Sequence, residues 1–198
     1  MFGNLQYIVF FGAIVHLCGT FFYLRNTLRG VTKPNRVSFL MWGIAPLIST
    51  AAAILAGVGW AILPTFLAGF GPLIIFVASF ANKNAYWKLG FFDYICGLLS
   101  ASALVLWVVT NNPLLAILFA LLGDIAAAVP TLIKSWNFPE TETAVSYVTS
   151  GFSAFTGFFA VQRGDISEYI FGLYIITMNI IILSFLYRKK IAAKFVKL

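Results

Sequence analysis

Seven long apolar segments divide this chain, and they constrain its fold more than any other feature. A helix needs about 20 residues to cross a bilayer, and each segment is near that length. Their hydrophobic residues do not alternate with polar ones at every second position, as in membrane β-strands, so the pattern predicts helices. The predicted segments are residues 5–24, 37–57, 62–81, 91–110, 113–135, 143–162 and 167–187.

The composition indicates the medium in which such a chain folds. Of its 198 residues, 61% are hydrophobic and only 10% are charged, and the mean hydropathy is +0.95. A soluble fold has no interior large enough to hide so much apolar surface. We therefore expect an all-α integral membrane protein with seven transmembrane helices, whose first partner is the lipid bilayer.

The basic residues predict the orientation of the seven segments. Twelve of the 13 Lys and Arg residues fall on one side, and only Arg163 falls on the other. The positive-inside rule then places the N-terminus outside and the C-terminus in the cytoplasm, at a plasma membrane or a bacterial inner membrane. The basic residues are scattered over short loops, which argues against nucleic-acid binding. Because the first of them, Arg25, follows the first apolar run, we expect a retained span and no cleaved signal peptide.

The order of helices and loops repeats along the chain. Residues 1–90 are predicted to hold a first three-helix bundle, residues 91–110 a linker helix, and residues 111–198 a second three-helix bundle with a basic cytoplasmic tail. Short matches support the repeat, with Leu24-Arg25, Pro34 and Ser38 paralleled by Ile133-Lys134, Pro139 and Ser146. Both copies begin outside, so the two bundles are predicted to be parallel repeats joined by an inverting linker.

The end of the fifth segment carries the motif Pro130-Thr131-x-x-Lys134-x-Trp136, followed by a short polar loop. Together with the 3+1+3 layout, this motif resembles the PQ-loop and SWEET transporter superfamily over nearly the whole chain. The resemblance implies alternating access between two rocking bundles, with Pro130 as a hinge. Pro46, a helix breaker inside the second segment, is a second candidate hinge.

Two ionisable residues are predicted to lie near the middle of the membrane. His16 precedes Arg25 by nine residues, and Asp124 precedes Lys134 by ten. At 1.5 Å per residue, each lies about 14–15 Å from the inner face of a core about 30 Å thick. An ionisable group at that depth is costly and indicates a functional site. Asp124 would bind a solute or carry a proton, as in the proton-coupled exporters that the chain resembles, with His16 close by; the alternative is that both only satisfy helix packing.

Four further residues are candidates for a solute pocket. Asn179 lies in the middle of the seventh segment, at what looks like the place of a pocket asparagine in SWEET sugar transporters. Trp42 supplies an aromatic face, and Ser150 and Ser153 supply small hydroxyls, a combination that suits a planar or sugar-like solute. The alternative is close packing through small residues, with an asparagine that ties two helices together.

The charged residues around the motif are interpreted as peripheral. Lys134 is expected to mark the cytoplasmic face, and Glu140 and Glu142 are assigned to a solvated loop.

The sequence contains no catalytic constellation, because it has one histidine, no Ser-His-Asp spacing, no metal cluster and no glycine-rich phosphate loop. We therefore expect no enzyme, no metal and no cofactor. The predicted function is transport of a small polar solute, either a sugar, an amino acid or a nucleoside-like compound, by a chain that is free to form a homo-oligomer. A non-transporting receptor or scaffold of the same fold, and a vitamin or nucleoside-like transporter, remain as alternatives.

Overall fold

The computed structural model describes residues 7–55, 60–85, 87–109, 113–161 and 166–195. Within these ranges the chain forms seven α-helices and no β-strand, which confirms the prediction of an all-α fold for this part. The helices are α1 (Ile8–Leu28), α2 (Arg36–Leu55), α3 (Leu63–Ala78), α4 (Phe91–Val109), α5 (Pro113–Asn137), α6 (Ala144–Gly157) and α7 (Ile166–Phe195).

Each predicted segment overlaps one of these helices, and clear differences occur at the ends of α1 and α7. Helix α1 passes Arg25 and ends in a Schellman motif around Gly30, whose φ of 74° is in the left-handed region. The Gly30 amide donates to the Thr27 carbonyl at 2.9 Å, and the Val31 amide donates to the Asn26 carbonyl at 3.0 Å. Helix α7 continues to Phe195, because the basic tail contains good helix formers and no Gly or Pro up to that residue.

Two stretches of helix are both long enough and apolar enough to cross a bilayer: α1 itself and Ile170–Arg188 within α7. Three shorter apolar stretches occur in the described residues, at Arg36–Leu47, Leu63–Ala78 and Phe91–Leu106. By length and composition, these helices are compatible with membrane association.

Large apolar side chains cover the outside of the helices, and many polar side chains lie inside. Phe91 is 82% exposed and Leu98 is 69% exposed, whereas Asn35, Ser79 and Thr131 are fully buried. A soluble protein keeps most of its polar side chains in water and its large apolar ones inside. The distribution is the one expected of helices whose outer surface contacts lipid.

The helices pack in a regular order around a central space. Helix α3 packs against both α1 and α2, and α7 packs against both α5 and α6. Between these groups, α1 packs against α6 and α2 packs against α5, while α4 lies against α5 and α2. The α1–α6 contact is close because it passes through glycines: a Cβ at Gly12 or Gly19 would overlap the side chain of Thr156 or Thr149.

The start of α2 is fixed by Asn35. Its Oδ1 accepts hydrogen bonds from the amides of Val37 and Ser38, as an N-cap residue does, and its Nδ2 donates to Asp93 at 2.7 Å. Because Asp93 belongs to α4, this amide side chain joins the first turns of two helices.

A cluster of large buried side chains joins five of the helices near the end that carries the α1–α2 and α5–α6 loops. We call this end of the molecule the loop end. The cluster comprises Tyr23, Phe39, Ile75, Tyr147 and Ile182. The Tyr23 ring lies 5.1 Å from that of Phe39 and 6.4 Å from that of Tyr147, between ring centroids. The core of the molecule therefore lies close to the loop end, and a cavity begins directly beside it.

Candidate functional site

A cavity of about 100 Å³ lies between the helices and is lined by side chains from α1, α2, α3, α5, α6 and α7. Among the described residues, α4 contributes none of the lining. A cavity of this size has room for several water molecules or for one small solute. The five residues of the buried cluster also line it, so they form its floor at the loop end.

Most of the residues predicted for a solute site line this one cavity. They are His16, Trp42, Asp124, Ser150 and Asn179, and the predicted hinge Pro46 lines it as well. Ser153 and Pro130 are buried but do not line it. The arrangement brings residues that are more than 100 positions apart in the sequence to a single cavity.

Asp124 faces the cavity from the middle of α5. Its carboxyl is opposite the hydroxyl of Tyr174 on α7, and that hydroxyl is buried with no hydrogen-bond partner of good geometry among the described residues. His16 lines the same space from α1, close to Gly71 of α3. His16 and Asp124 form no ion pair with one another in the described structure, so the acid and the histidine share the cavity while both remain available to a solute.

Asn179 has a structural role in addition to its place in the lining. Its Nδ2 donates to the Ile175 carbonyl at 2.8 Å and to Ser150 Oγ at 3.4 Å. The second, longer bond joins α7 to α6, as expected of an asparagine that ties two helices together. Both interpretations of this residue, the pocket and the helix tie, therefore have a geometric basis.

Prolines interrupt two of the helices beside the cavity. Pro46 lies inside α2 and Pro72 inside α3, and both line the cavity. Proline has no N–H, so the carbonyl four residues earlier loses its helical donor. Those earlier residues are Trp42 and Ala68, which line the cavity on the same helix faces. Pro130 is different, because it lies within α5 away from the lining.

The floor of the cavity is held by a buried acid. Tyr23 and Tyr147 line the cavity, and the hydroxyl of each donates to Glu142 Oε2 at 2.8 Å. The side chain of Glu142 is fully buried and accepts Lys134 Nζ on its other oxygen, Oε1, at 2.5 Å. Lys134 Nζ also donates to the carbonyl oxygens of Lys33 and Thr141.

The predicted surroundings of Glu142 are wrong. Its side chain is fully buried and does not lie in solvent, and Lys134 at the end of α5 is likewise only 1% exposed. A buried charge is retained when an opposite charge and hydrogen bonds compensate for the lost hydration. Here each residue provides that compensation for the other, with the two tyrosine hydroxyls and two backbone carbonyls completing the set.

The same region connects two loops that are distant in sequence. The Lys33 amide donates to the Thr141 carbonyl at 3.0 Å, and the Thr32 and Thr143 hydroxyl oxygens are 2.5 Å apart. Asn26 at the end of α1 also donates to Thr143 Oγ1 at 3.1 Å. We call this set the loop-end network: Tyr23, Lys134, Glu142 and Tyr147, with the α1–α2 residues 32–33 and the α5–α6 residues 141–143. It closes the cavity at the loop end.

Several lining residues were missing from the sequence prediction. Thr20 and Tyr23 follow His16 by four and seven residues, and Ile175 and Ile182 flank Asn179 at similar spacings. These intervals place them on the same helix faces as the predicted residues. Helical periodicity, extended from each polar candidate, would have identified them, whereas the position of Tyr174 opposite Asp124 depends on how α5 and α7 pack.

The lining gives the site its chemical character. It contains a carboxyl group, hydroxyls and large aromatic rings, and within the described residues no group of three His, Cys, Asp or Glu side chains is placed to hold a metal ion. Comparison with known proteins adds no identification, because no family model, curated protein or solved structure matches the chain.

Proposed function

We propose that this protein is a seven-span membrane transporter for a small polar solute, which binds in the central cavity beside Asp124. Two groups of three helices, α1–α3 and α5–α7, would move against each other and expose the cavity first to one face of the membrane and then to the other. The predicted resemblance to the PQ-loop and SWEET superfamily implies the same mechanism.

The observation that carries the proposal is the position of Asp124. An acid in the middle of an apolar helix is costly, and such residues usually mark a solute or ion pathway. Asp124 lines the cavity between the two helix groups, together with His16, Ser150 and Asn179. A protein that only needed helix packing would gain stability by filling this space with apolar side chains.

The outer surface and the charge distribution support a membrane location for all seven helices. Exposed apolar side chains occur on the helices that are shorter than a standard span as well as on the longer ones, for example Val77 on α3 and Phe155 on α6. The nearly complete segregation of Lys and Arg to one side supports a cytoplasmic loop end.

The packing order supports the proposed internal repeat. In each group the third helix lies between the first two, because α3 contacts α1 and α2 just as α7 contacts α5 and α6. The two most extensive contacts between the groups are α1 with α6 and α2 with α5, and swapping the first group for the second turns one of these contacts into the other. A pseudo-two-fold axis along the membrane normal produces this relation, as in parallel-repeat transporters.

Alternating access assigns a role to the loop-end network. It seals the cavity on the side that we propose to be cytoplasmic, and its links from the α1–α2 loop to the α5–α6 loop join the two helix groups. Opening toward the cytoplasm would require Tyr23 and the α1–α2 loop to separate from Glu142 and Thr143.

Counterflow in proteoliposomes tests the proposal. Purified protein is reconstituted with an excess of unlabelled solute inside, and uptake of the same labelled solute is followed for glucose, alanine, uridine and butylamine, which represent four chemical classes. We expect exchange of at least one of them above protein-free liposomes and a loss of about tenfold in Asp124→Asn, with Ser153→Ala as the control that retains exchange. Binding of a solute without any exchange would contradict transport and favour the receptor or scaffold.

A further inference from the structure

Among the described residues that line the cavity, one carries a carboxyl group and none carries a permanent positive charge. The carboxyl belongs to Asp124, and the described lining contains no Lys or Arg. The other titratable groups that face it are His16, Tyr174, and the hydroxyls of Tyr23 and Tyr147, which already donate to Glu142. A solute with a carboxylate or a phosphate would therefore find no guanidinium or ammonium partner here, although such groups normally have one.

Two prolines leave possible backbone acceptors on residues that line the same cavity. Pro46 and Pro72 leave the carbonyls of Trp42 and Ala68 without their helical donors, and all four residues line the cavity. A carbonyl in a water-poor site needs a donor. A solute rich in N–H groups supplies such donors, whereas a solute that only accepts hydrogen bonds does not.

Aromatic rings form one continuous wall of the cavity. The centroids of Phe39 and Trp42 are 5.5 Å apart, and Phe39 is 5.1 Å from Tyr23. The electron-rich faces of such rings attract cations, and their area also accommodates a hydrocarbon chain. The wall thus suits a molecule that is cationic at one end and apolar elsewhere.

We propose that the solute is a small organic amine without an acidic group. Its ammonium group is held by the Asp124 carboxylate and the freed carbonyls of Trp42 and Ala68, and its hydrocarbon part lies against the aromatic wall. This inference rests on the proposed function, and it assigns the solute to a class outside the predicted sugars, amino acids and nucleoside-like compounds: organic cations that carry no carboxylate.

A four-carbon series of compounds tests the inference on the full-length purified protein at pH 7. Butylamine is the cation, butan-1-ol the neutral analogue, butyrate the anion and 4-aminobutyrate the zwitterion. A ligand that binds only the folded state raises the melting temperature, by about 3 °C at ten times its Kd for a chain of this size. We expect butylamine to produce this shift and the other three compounds to produce less than a third of it.

Two variants test whether the increase in melting temperature with butylamine comes from binding in the cavity. Asp124→Asn should abolish the butylamine shift, and Tyr174→Phe, which removes the hydroxyl opposite the acid, should weaken butylamine binding by about threefold to tenfold while preserving the fold. Ser153→Ala, a buried hydroxyl outside the cavity, should leave the shift unchanged. A larger shift with butyrate or butan-1-ol, or an undiminished butylamine shift in a folded Asp124→Asn, would overturn the assignment.

Failure of this inference can be separated from failure of the proposed function. Counterflow of glucose or uridine without butylamine exchange overturns the amine assignment and leaves transport standing. Butylamine could raise the melting temperature in a way that depends on Asp124 while none of the four labelled solutes is exchanged. That result supports the amine site and overturns transport.

Discussion

Two acids in this protein, Asp124 and Glu142, occupy interior positions with opposite surroundings. Glu142 has Lys134 on one carboxylate oxygen and the hydroxyls of Tyr23 and Tyr147 on the other. Asp124 faces a cavity, with the Tyr174 hydroxyl opposite and no cationic side chain among the described lining residues. An interior acid alone therefore does not identify a functional site, because the number of its protein partners decides whether a solute can bind to it.

The comparison also separates the roles of α5 and the loop that follows it. Lys134 in the last turn of α5 and Glu142 in the following loop join the two helix groups at the loop end. Ten residues earlier, Asp124 stands at the space between the same groups. Glu142 is interpreted as a structural and gating element, and Asp124 as the group that binds the solute.

Changing Glu142 should have the largest effect on stability. Glu142→Gln leaves Lys134 charged, buried and without its carboxylate partner, and breaking a buried ion pair costs about 3–5 kcal/mol. We expect thermal unfolding in detergent about 10 °C below that of the wild type.

The double variant Lys134→Met/Glu142→Gln is the control for that effect. It removes both charges together, so no unpaired buried charge remains, and it should recover at least half of the lost stability. Equal instability of the single and double variants would mean that the ion pair is not the source of the loss.

Asp124→Asn makes the same acid-to-amide change at the other position and should give the opposite result. It removes a charge that has no cationic partner, so the free energy of unfolding should stay within about 1 kcal/mol of the wild type or rise. Parallel melting curves of Asp124→Asn and Glu142→Gln measure the contrast. A loss at Asp124 as large as that at Glu142 would assign both acids to structure.

The two tyrosines below the cavity should show an intermediate effect. Tyr23→Phe and Tyr147→Phe each remove one donor to Glu142, and a hydrogen bond to a charged group contributes about 1.5–3 kcal/mol. Denaturant or thermal unfolding of both single variants measures the loss in the free energy of unfolding. Their partner oxygen is shared, so the double variant should depart from the sum of the two losses, and strict additivity would indicate that Glu142 does not couple them.

The smallest effect is expected from a pair of serines on α6. Ser150 lines the cavity, and Ser153 is buried outside it. Ser150→Ala should weaken butylamine binding by about threefold, since it removes one polar contact of the site. Titration of both variants by thermal shift tests this, and a matching loss in Ser153→Ala would show that the effect comes from the helix and not from the cavity.

The helices could be predicted from the sequence because their cause is local. Apolar runs and helix-ending signals such as Gly30 followed by Pro34 act over a few residues, and the observed helices follow them. Asp124 and His16 lie in the middle of α5 and α1, as residue counts along the apolar segments indicated.

The partners of the charged residues could not be predicted, because their cause is tertiary. The stretch around Glu142 is polar and follows a proline, which locally resembles a surface loop. Its burial comes from Lys134 on α5, Tyr23 on α1 and the Lys33 carbonyl, which only the folded arrangement brings together. For the same reason, the sequence could not separate Ser150 from Ser153, three residues apart on one helix.

Accessibility of the cavity from each membrane face is the direct test of alternating access. In a background with Cys18→Ser and Cys96→Ala, a cysteine is placed by Ser150→Cys or, as a control, by Ser153→Cys. A membrane-impermeant maleimide is then applied to either face of proteoliposomes. Alternating access predicts that the Ser150→Cys thiol reacts from both faces, more slowly with butylamine bound, while the Ser153→Cys thiol reacts from neither. Reaction of the Ser150→Cys thiol from one face only, with or without solute, would contradict alternating access.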